Sequence, residues 1–228
     1  MIINTRSIVL SRINYGEADL IVRLYTQKLG MISAIIKSAR KKSNTKAVLF
    51  QPLSLLEIVL DYKEKKELQF LKETNISVNL HDLHTNIYKT SLGFFIAELT
   101  HKCITQIEPD ESLFDFIENS IISLDKMQSS VADFHLFFMI KLLGLLGFDI
   151  SNQLNKSLFT GKNMNPQLIE KVLLMLTTFN NSELLPEFHS DYTQRQAALN
   201  TMLDYFYNHV EGLTPLKTVD VLTAVLHA

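Results

Sequence analysis

Along the first third of the chain, apolar and polar positions alternate with a period of two. In Leu20–Thr26, Leu20, Val22 and Leu24 alternate with Ile21, Arg23 and Tyr25, which predicts a strand with one face in a core and the other partly wet. Similar runs at Ser7–Ile13, Met31–Lys37, Leu53–Tyr62 and Glu67–Thr74 complete a set of five predicted strands. Turn residues punctuate them: Asn14-Tyr15-Gly16 after the first, Gln27-Lys28-Leu29-Gly30 between the second and third, and a basic loop with Pro52 ahead of the fourth. Five short strands in about 70 residues fit a small closed barrel, because an open sheet leaves two edges to protect; an OB-type barrel is the economical choice.

Beyond Asn79 the apolar period becomes helical. Helices are predicted over Ile87–Ile104, Ser112–Met127, Ala132–Leu146, Pro166–Phe179, Gln194–Asn208 and Thr218–His227, with Pro109-Asp110-Glu111-Ser112 and Asn165-Pro166 as start signals. The third has scarcely any polar face, which places it at the centre of a bundle. The apolar stretch Val131–Phe148 is interrupted by Asp133, His135 and Lys141 and falls short of a membrane span, so no membrane partner is expected. Asp149–Asn165, rich in Asn and Ser, reads as a long irregular connection. The expected fold class is therefore α+β and multidomain: an N-terminal five-stranded OB-type β-barrel over residues 1–78, followed by an all-α helical domain over residues 79–228.

Charge sharpens this picture. The chain of 228 residues has a formal net charge of −2, yet its first 73 residues carry 13 Lys and Arg against 7 Asp and Glu, and the remainder carries 9 against 17. A basic front half joined to an acidic back half suggests a surface for a polyanion on the barrel. The excess is concentrated in Lys37-Ser38-Ala39-Arg40-Lys41-Lys42-Ser43-Asn44-Thr45-Lys46, with Arg6, Arg12, Arg23, Lys63, Lys65 and Lys66 adding charge from other strands. Tyr15, Tyr25, Phe50, Tyr62 and Phe70 supply rings, most of them core, of which one or two can stack on a base. The single cysteine, Cys103, excludes an internal disulfide and a Cys-rich zinc site, and the N-terminus lacks a signal-peptide pattern, so a cytoplasmic setting is expected.

Catalytic motifs are missing. No phosphate-binding G-x-x-x-x-G-K-[ST] loop, dinucleotide G-x-G-x-x-G or nucleophile elbow occurs, and Ser43-Asn44-Thr45-Lys46 matches S-x-x-K without its companion motifs. His81, His84, His101 and Cys103 lack the spacing of a metal helix and read as surface, capping or packed side chains. No cofactor, no metal and no enzymatic activity is expected.

The motifs resemble those of the bacterial recombination mediator family RecO. Ser7-Ile8-Val9-Leu10-Ser11-Arg12, then Tyr15-Gly16-Glu17-Ala18-Asp19-Leu20-Ile21-Val22, Thr26, Gly30 and the Lys37–Ser43 run resemble that family's opening barrel. Phe134–Phe148, ending Leu142-Leu143-Gly144-Leu145-Leu146-Gly147-Phe148, resembles its central helix, and Leu213-Thr214-Pro215-Leu216-Lys217-Thr218 its closing segment. Two departures stand out. Many members carry a four-cysteine zinc knuckle where Asp149–Asn165 has none, and Ser38 stands where glycine is common, in a position that serine tolerates less readily if φ is positive.

The resemblance implies a non-enzymatic, nucleoid-associated DNA repair factor. It would bind single- and double-stranded DNA, anneal complementary strands and act with RecR to place RecA on strands coated by single-strand binding protein. Charge assigns phosphate contacts to Lys37, Arg40, Lys41, Lys42 and Lys46, with Arg12 or Arg23 extending the track. The family's contact with the acidic tail of single-strand binding protein falls on the helical domain, where Lys141, Arg195 and Lys217 are the candidate cations. The competing reading is a protein-only adaptor whose basic loop is merely solvated.

Overall fold

In a computed structural model, which describes residues 1–41, 46–104, 108–129, 131–148 and 150–227, the chain opens with a strand that serves two neighbours. β1 (Ile2–Tyr15) pairs through its first half with β4 (Leu55–Asp61) and through its second half with β2 (Asp19–Thr26), antiparallel in both cases. β3 (Gly30–Ile36) continues from β2. β5 (Leu68–Val78) joins β3 in parallel and β4 antiparallel, closing a barrel in the order β1-β2-β3-β5-β4. The short helix α1 (Lys46–Leu49) lies between β3 and β4, where only a loop had been expected; four residues are too few to show a helical period.

Alternation sorts the side chains. Val9, Leu20, Val22, Leu24, Ile32, Ala34, Ile36, Phe50, Leu56, Ile58 and Leu60 fill the barrel. The pairing of β1 with β2 slips between Val9 and Ser11, leaving Leu10 as a bulge. Leu55, Ile8, Tyr25 and Met31, which stand opposite one another on β4, β1, β2 and β3, join Leu10 in a second core shared with the helices. One stretch of the outer barrel wall is thereby an inner wall of the molecule.

The helices follow the predicted pattern: α2 (Ile87–Cys103), α3 (Glu111–Lys126), α4 (Phe134–Leu145), α5 (Pro166–Asn181), α6 (Tyr192–His209) and α7 (Val219–His227). Asn86, Asp110, Asn165 and Asp191 cap their N-termini, each accepting backbone N–H bonds from the first turn. α4 is buried along nearly its whole length and packs on α2, α3, α5 and α6, the central place its apolar periphery predicts. None of the described helices is long and apolar enough to cross a membrane. In the cysteine-free connection before α5, two 3-10 turns, Ser151–Gln153 and Lys156–Phe159, bury Ile150 and Phe159, with Leu154, Leu158 and Met164 packed behind them. Apolar side chains hold this segment.

Carboxylates tie the pieces together. Asp125 at the end of α3 accepts the amides of His81, Asp82 and Leu83 at 3.1, 2.8 and 2.8 Å, fixing the link between β5 and α2. Glu98 on α2 accepts the amides of Lys217 and Thr218 at 3.0 and 2.9 Å and the Thr218 hydroxyl at 2.8 Å, anchoring the start of α7. Burial opposes its ionisation, but the Lys217 amide, the Lys102 ammonium at 3.0 Å and the Thr218 donors outweigh it and hold Glu98 at about 2. Between barrel and helices, Arg6 bonds Asp115 at 3.0 Å and Glu118 and lies 5.2 Å over the Phe114 ring. Tyr25 Oη donates to the Asp110 carbonyl at 3.3 Å.

Arg6→Ala leaves Glu118, 7% exposed, without its counter-charge and is expected to lower stability by about 1–2 kcal/mol, as followed by thermal unfolding. Adding Glu118→Gln should recover part of that loss. His135 is fully buried, and desolvation, then the nearby Arg195 charge, pull its pKa from 6.5 to about 3. The unfolded chain takes up this proton near pH 6.5 while the folded chain refuses it until about 3, so stability falls as pH drops through that window. Urea midpoints measured from pH 7 to 4 should show the fall, and His135→Gln should flatten it.

Candidate nucleic-acid interface

The half of the outer barrel wall that the helices leave open carries a second row. Ile13 stands opposite Ile21, Ile21 opposite Ile35, and Ile35 opposite Phe70, so one line of side chains crosses β1, β2, β3 and β5. At its ends Ile13 is 60% and Phe70 44% exposed. Lys37 Nζ lies 5.6 Å and Lys66 Nζ 5.9 Å from the Phe70 ring centroid, so one aromatic face is flanked by two ammonium groups. Of the other candidate rings, Tyr25 and Phe50 are core, Tyr62 is half-buried and Tyr15 is exposed.

Two loops flank the row. Buried Gln69 orders the β4–β5 connection: its Oε1 accepts the Lys63 amide at 3.0 Å, and its Nε2 donates to the carbonyls of Lys63 and Lys66. That loop presents Lys63, Lys65 and Lys66, interleaved with Glu64 and Glu67, to solvent. The β1–β2 hairpin turns at Gly16, with φ of 54°, and is stitched to the basic turn after β3. Arg40 donates through Nη2 to the Gly16 carbonyl at 2.7 Å and through its amide to Ala18 O at 2.9 Å; the Ser38 amide donates to Asp19 Oδ1 at 2.7 Å. Ser38 has φ of 58°, the left-handed conformation that suits glycine.

The sequence-derived cations divide among these surfaces. Lys37 is exposed just beyond the end of β3, with its ammonium near the Phe70 ring. Arg40 and Lys41 are exposed on the basic turn, Lys46 is exposed at the start of α1, and Lys42 lies outside the described residues. Arg12 stands opposite Val22, in the register of the interior, and at the barrel's end its Nη1 donates to the Ala47 carbonyl of α1 at 2.6 Å. Arg23 stands opposite Ser11 and Ser33, one row nearer the helices, where Nη1 donates to Ser33 Oγ at 2.7 Å and the buried Nε has no partner among the described residues. Arg6, counted with the basic patch, is committed to the helices instead. Among the described residues no ion pair engages Arg12, Arg23, Lys37, Arg40 or Lys41, so no contacting carboxylate offsets them.

The helical-domain candidates are anchored to separate elements. Lys141 donates to the Asn180 carbonyl at 2.8 Å near the end of α5, lies over Phe137, and has its pKa lowered by burial against the pull of Glu183. Arg195 donates to the carbonyl and hydroxyl of Ser190 ahead of α6, and Lys217 is exposed beside Glu98. His84 Nε2 lies 2.9 Å from the Pro52 carbonyl, and burial pushes the Cys103 thiol up to about 12. Among the described residues no group of three His, Cys, Asp or Glu side chains is arranged to hold a metal. Sequence reasoning missed the Ile13–Ile21–Ile35 line, although a signal was present: apolar residues at positions that alternation assigns to solvent.

Residues 1–79 match the family model described as "Recombination protein O N terminal", and residues 84–169 match "Recombination protein O C terminal". Among relatives, "DNA repair protein RecO" of Flavobacterium psychrophilum is 34% identical over 241 residues, covering 99% of each chain. The protein of that name from Christiangramia forsetii is 33% identical over 239 residues, again covering 99% of each. That of Bacteroides fragilis is 30% identical over 240 residues, covering 97% of this chain and 98% of its own.

Ser38→Gly is expected to stabilise the fold by about 0.5–1 kcal/mol, because relief of the left-handed serine exceeds the added freedom of the unfolded chain. Chemical denaturation measures this; a destabilised variant would show that the serine is held there by contacts worth more than the strain.

Proposed function

The chain belongs to the recombination protein O family, and from that premise we propose that it is a non-enzymatic recombination mediator in DNA repair, with residues 1–78 as the DNA-binding domain and residues 79–228 as the partner-binding domain. In this reading it binds single- and double-stranded DNA, anneals complementary strands and, with RecR, helps load RecA onto strands coated by single-strand binding protein, at the nucleoid in the cytoplasm.

The observation that carries the reading is Phe70 on the open barrel wall between Lys37 and Lys66. An OB barrel binds oligonucleotides on the face of β2 and β3 between the β1–β2 and β4–β5 loops, and Phe70 stands beside that face with both loops at its flanks. The ring is accessible only to an unstacked base, so the site favours single strands, while the ammonium groups serve the phosphates on either side. Arg40 and Lys41 extend the charge toward the β1–β2 hairpin, and Arg23 extends it toward the helices. Lys42 and Lys46 continue the same basic segment in sequence.

Phe70→Ala is expected to weaken binding of a fluorescent single-stranded oligonucleotide about 5- to 100-fold with little change for duplex, in keeping with ~1–3 kcal/mol for one stacked base. Lys37→Glu with Lys41→Glu should weaken both. With about six phosphate contacts the logarithm of affinity falls with the logarithm of salt at a slope of roughly −4. Salt-independent or unaltered binding in these variants would favour a protein-only adaptor, as would failure to accelerate annealing.

A further inference from the structure

A groove of about 530 Å³ opens where the barrel meets α2. Its floor is apolar, with Leu10, Leu83 and Gly93, and its rim carries Arg12, His84 and His101. Gly93 packs close to Leu83, where an added Cβ would stand 3.4 Å from Leu83 Cδ1, in ordinary contact. Phe94, on the α2 wall, is 46% exposed although it lies on a helix whose neighbouring residues are buried. The groove contains one carboxylate, Glu98, and that group is already engaged by Lys102 and the donors of residues 217 and 218. Arg12 is thus the groove's one strong cation, set against a carboxylate that other donors already hold.

The groove is continuous with the barrel wall. Ser11, which lines it, stands opposite Arg23, and Arg23 occupies the row next to Ile13–Ile21–Ile35–Phe70. The Arg23 guanidinium also lies near enough to His101 to depress its pKa, after burial and ahead of Lys102. An aromatic and apolar slot with Arg12 on its rim thus adjoins the strand residues that carry Arg23.

We propose that this groove is a second base-binding subsite, in which a single strand running from Phe70 past Arg23 seats a base against Phe94 and a phosphate against Arg12. The proposal rests on the reading of the barrel as a single-strand binder. An apolar floor and an exposed ring fit a base, the Arg12 side chain has further donors beyond the one given to Ala47, and the ring nitrogens of His84 and His101 offer edges for a base's polar groups. A strand that leaves the barrel wall in this direction passes Arg23 at the seam and meets Arg12 on the groove's rim.

The chain has no tryptophan, so Phe94→Trp and Phe70→Trp each introduce the sole indole as a reporter of stacking. An oligothymidine of about 20 nucleotides should quench both, whereas one of about 6, within the span of a single OB fold, should quench Phe70→Trp and leave Phe94→Trp bright. Phe94→Ala should weaken the longer strand about 10-fold and the shorter one little. If Phe70→Trp is quenched by the long strand while Phe94→Trp is not, and Phe94→Ala binds every length like the parent, the subsite is overturned and the barrel reading stands. Quenching of Phe94→Trp alone would retain the groove and remove the barrel site. A Phe94→Trp emission that responds to an acidic peptide and not to oligonucleotide would assign the groove to a protein partner and overturn the proposal.

Discussion

Leu10 has no opposite number on β2, and the two-sidedness of the barrel depends on that omission. Up to Val9 the strand alternates inward and outward in step with β4 and β2; the extra residue resets the phase, so that Ser11 and Ile13 face outward together with Arg23 and Ile21. A bulge also sharpens the local twist, which lets one fourteen-residue strand pair with two neighbours and close the barrel. The outcome is a wall of three rows. Leu55, Ile8, Tyr25 and Met31 are sealed against the helices, Ser11, Arg23 and Ser33 lie along the seam, and the row Ile13, Ile21, Ile35 and Phe70 is exposed at its two ends, with Ile35 buried between them.

The cations divide by the kind of acceptor they meet. Arg6, Lys89, Lys102 and Lys162 are paired with carboxylates, and each joins two parts of the fold: barrel to α3, linker to α3, α2 to the chain before α7, and the connection before α5 to α6. Arg12, Arg23 and Arg40 are oriented by carbonyl or hydroxyl oxygens. A neutral acceptor fixes a guanidinium without cancelling its charge, whereas a carboxylate removes it from the long-range field. A count of basic residues overstates the barrel's attraction for a polyanion by including Arg6, and the remaining cations act from defined positions.

Strand and helix periods were legible because they arise from burial, and burial dominates the fold: Leu20, Val22 and Leu24 are 2% exposed or less, and α4 is as central as its all-round apolar sequence requires. Strand ends were less legible. β1 extends to Ile2 and β5 to Val78 because pairing with a neighbour prolongs them through residues with no alternation of their own. Of the candidate site, the charged residues were legible and their directions were not. Arg12 and Arg23 are both cationic strand residues near one hairpin, yet the bulge sends them to opposite faces, and nothing at Leu10 announces it. Phe70 was visible only as one ring among five; its exposure follows from the parallel pairing of β5 with β3, a long-range contact with no local signature.

The acidic helical part gains a role from the same geometry. Its carboxylates repel a phosphate chain, so the DNA binding proposed above would be confined to the strip where cations face outward and acids are absent or engaged. Glu98 lies at the boundary of that strip. Holding the closing segment of the chain through two amides, a hydroxyl and Lys102 stabilises its charge on α7 and Lys102, and this leaves little field to act on the groove beside it. The interaction that ties down the C-terminal helix therefore also limits the repulsion that Glu98 would exert on an anion in the groove between barrel and α2.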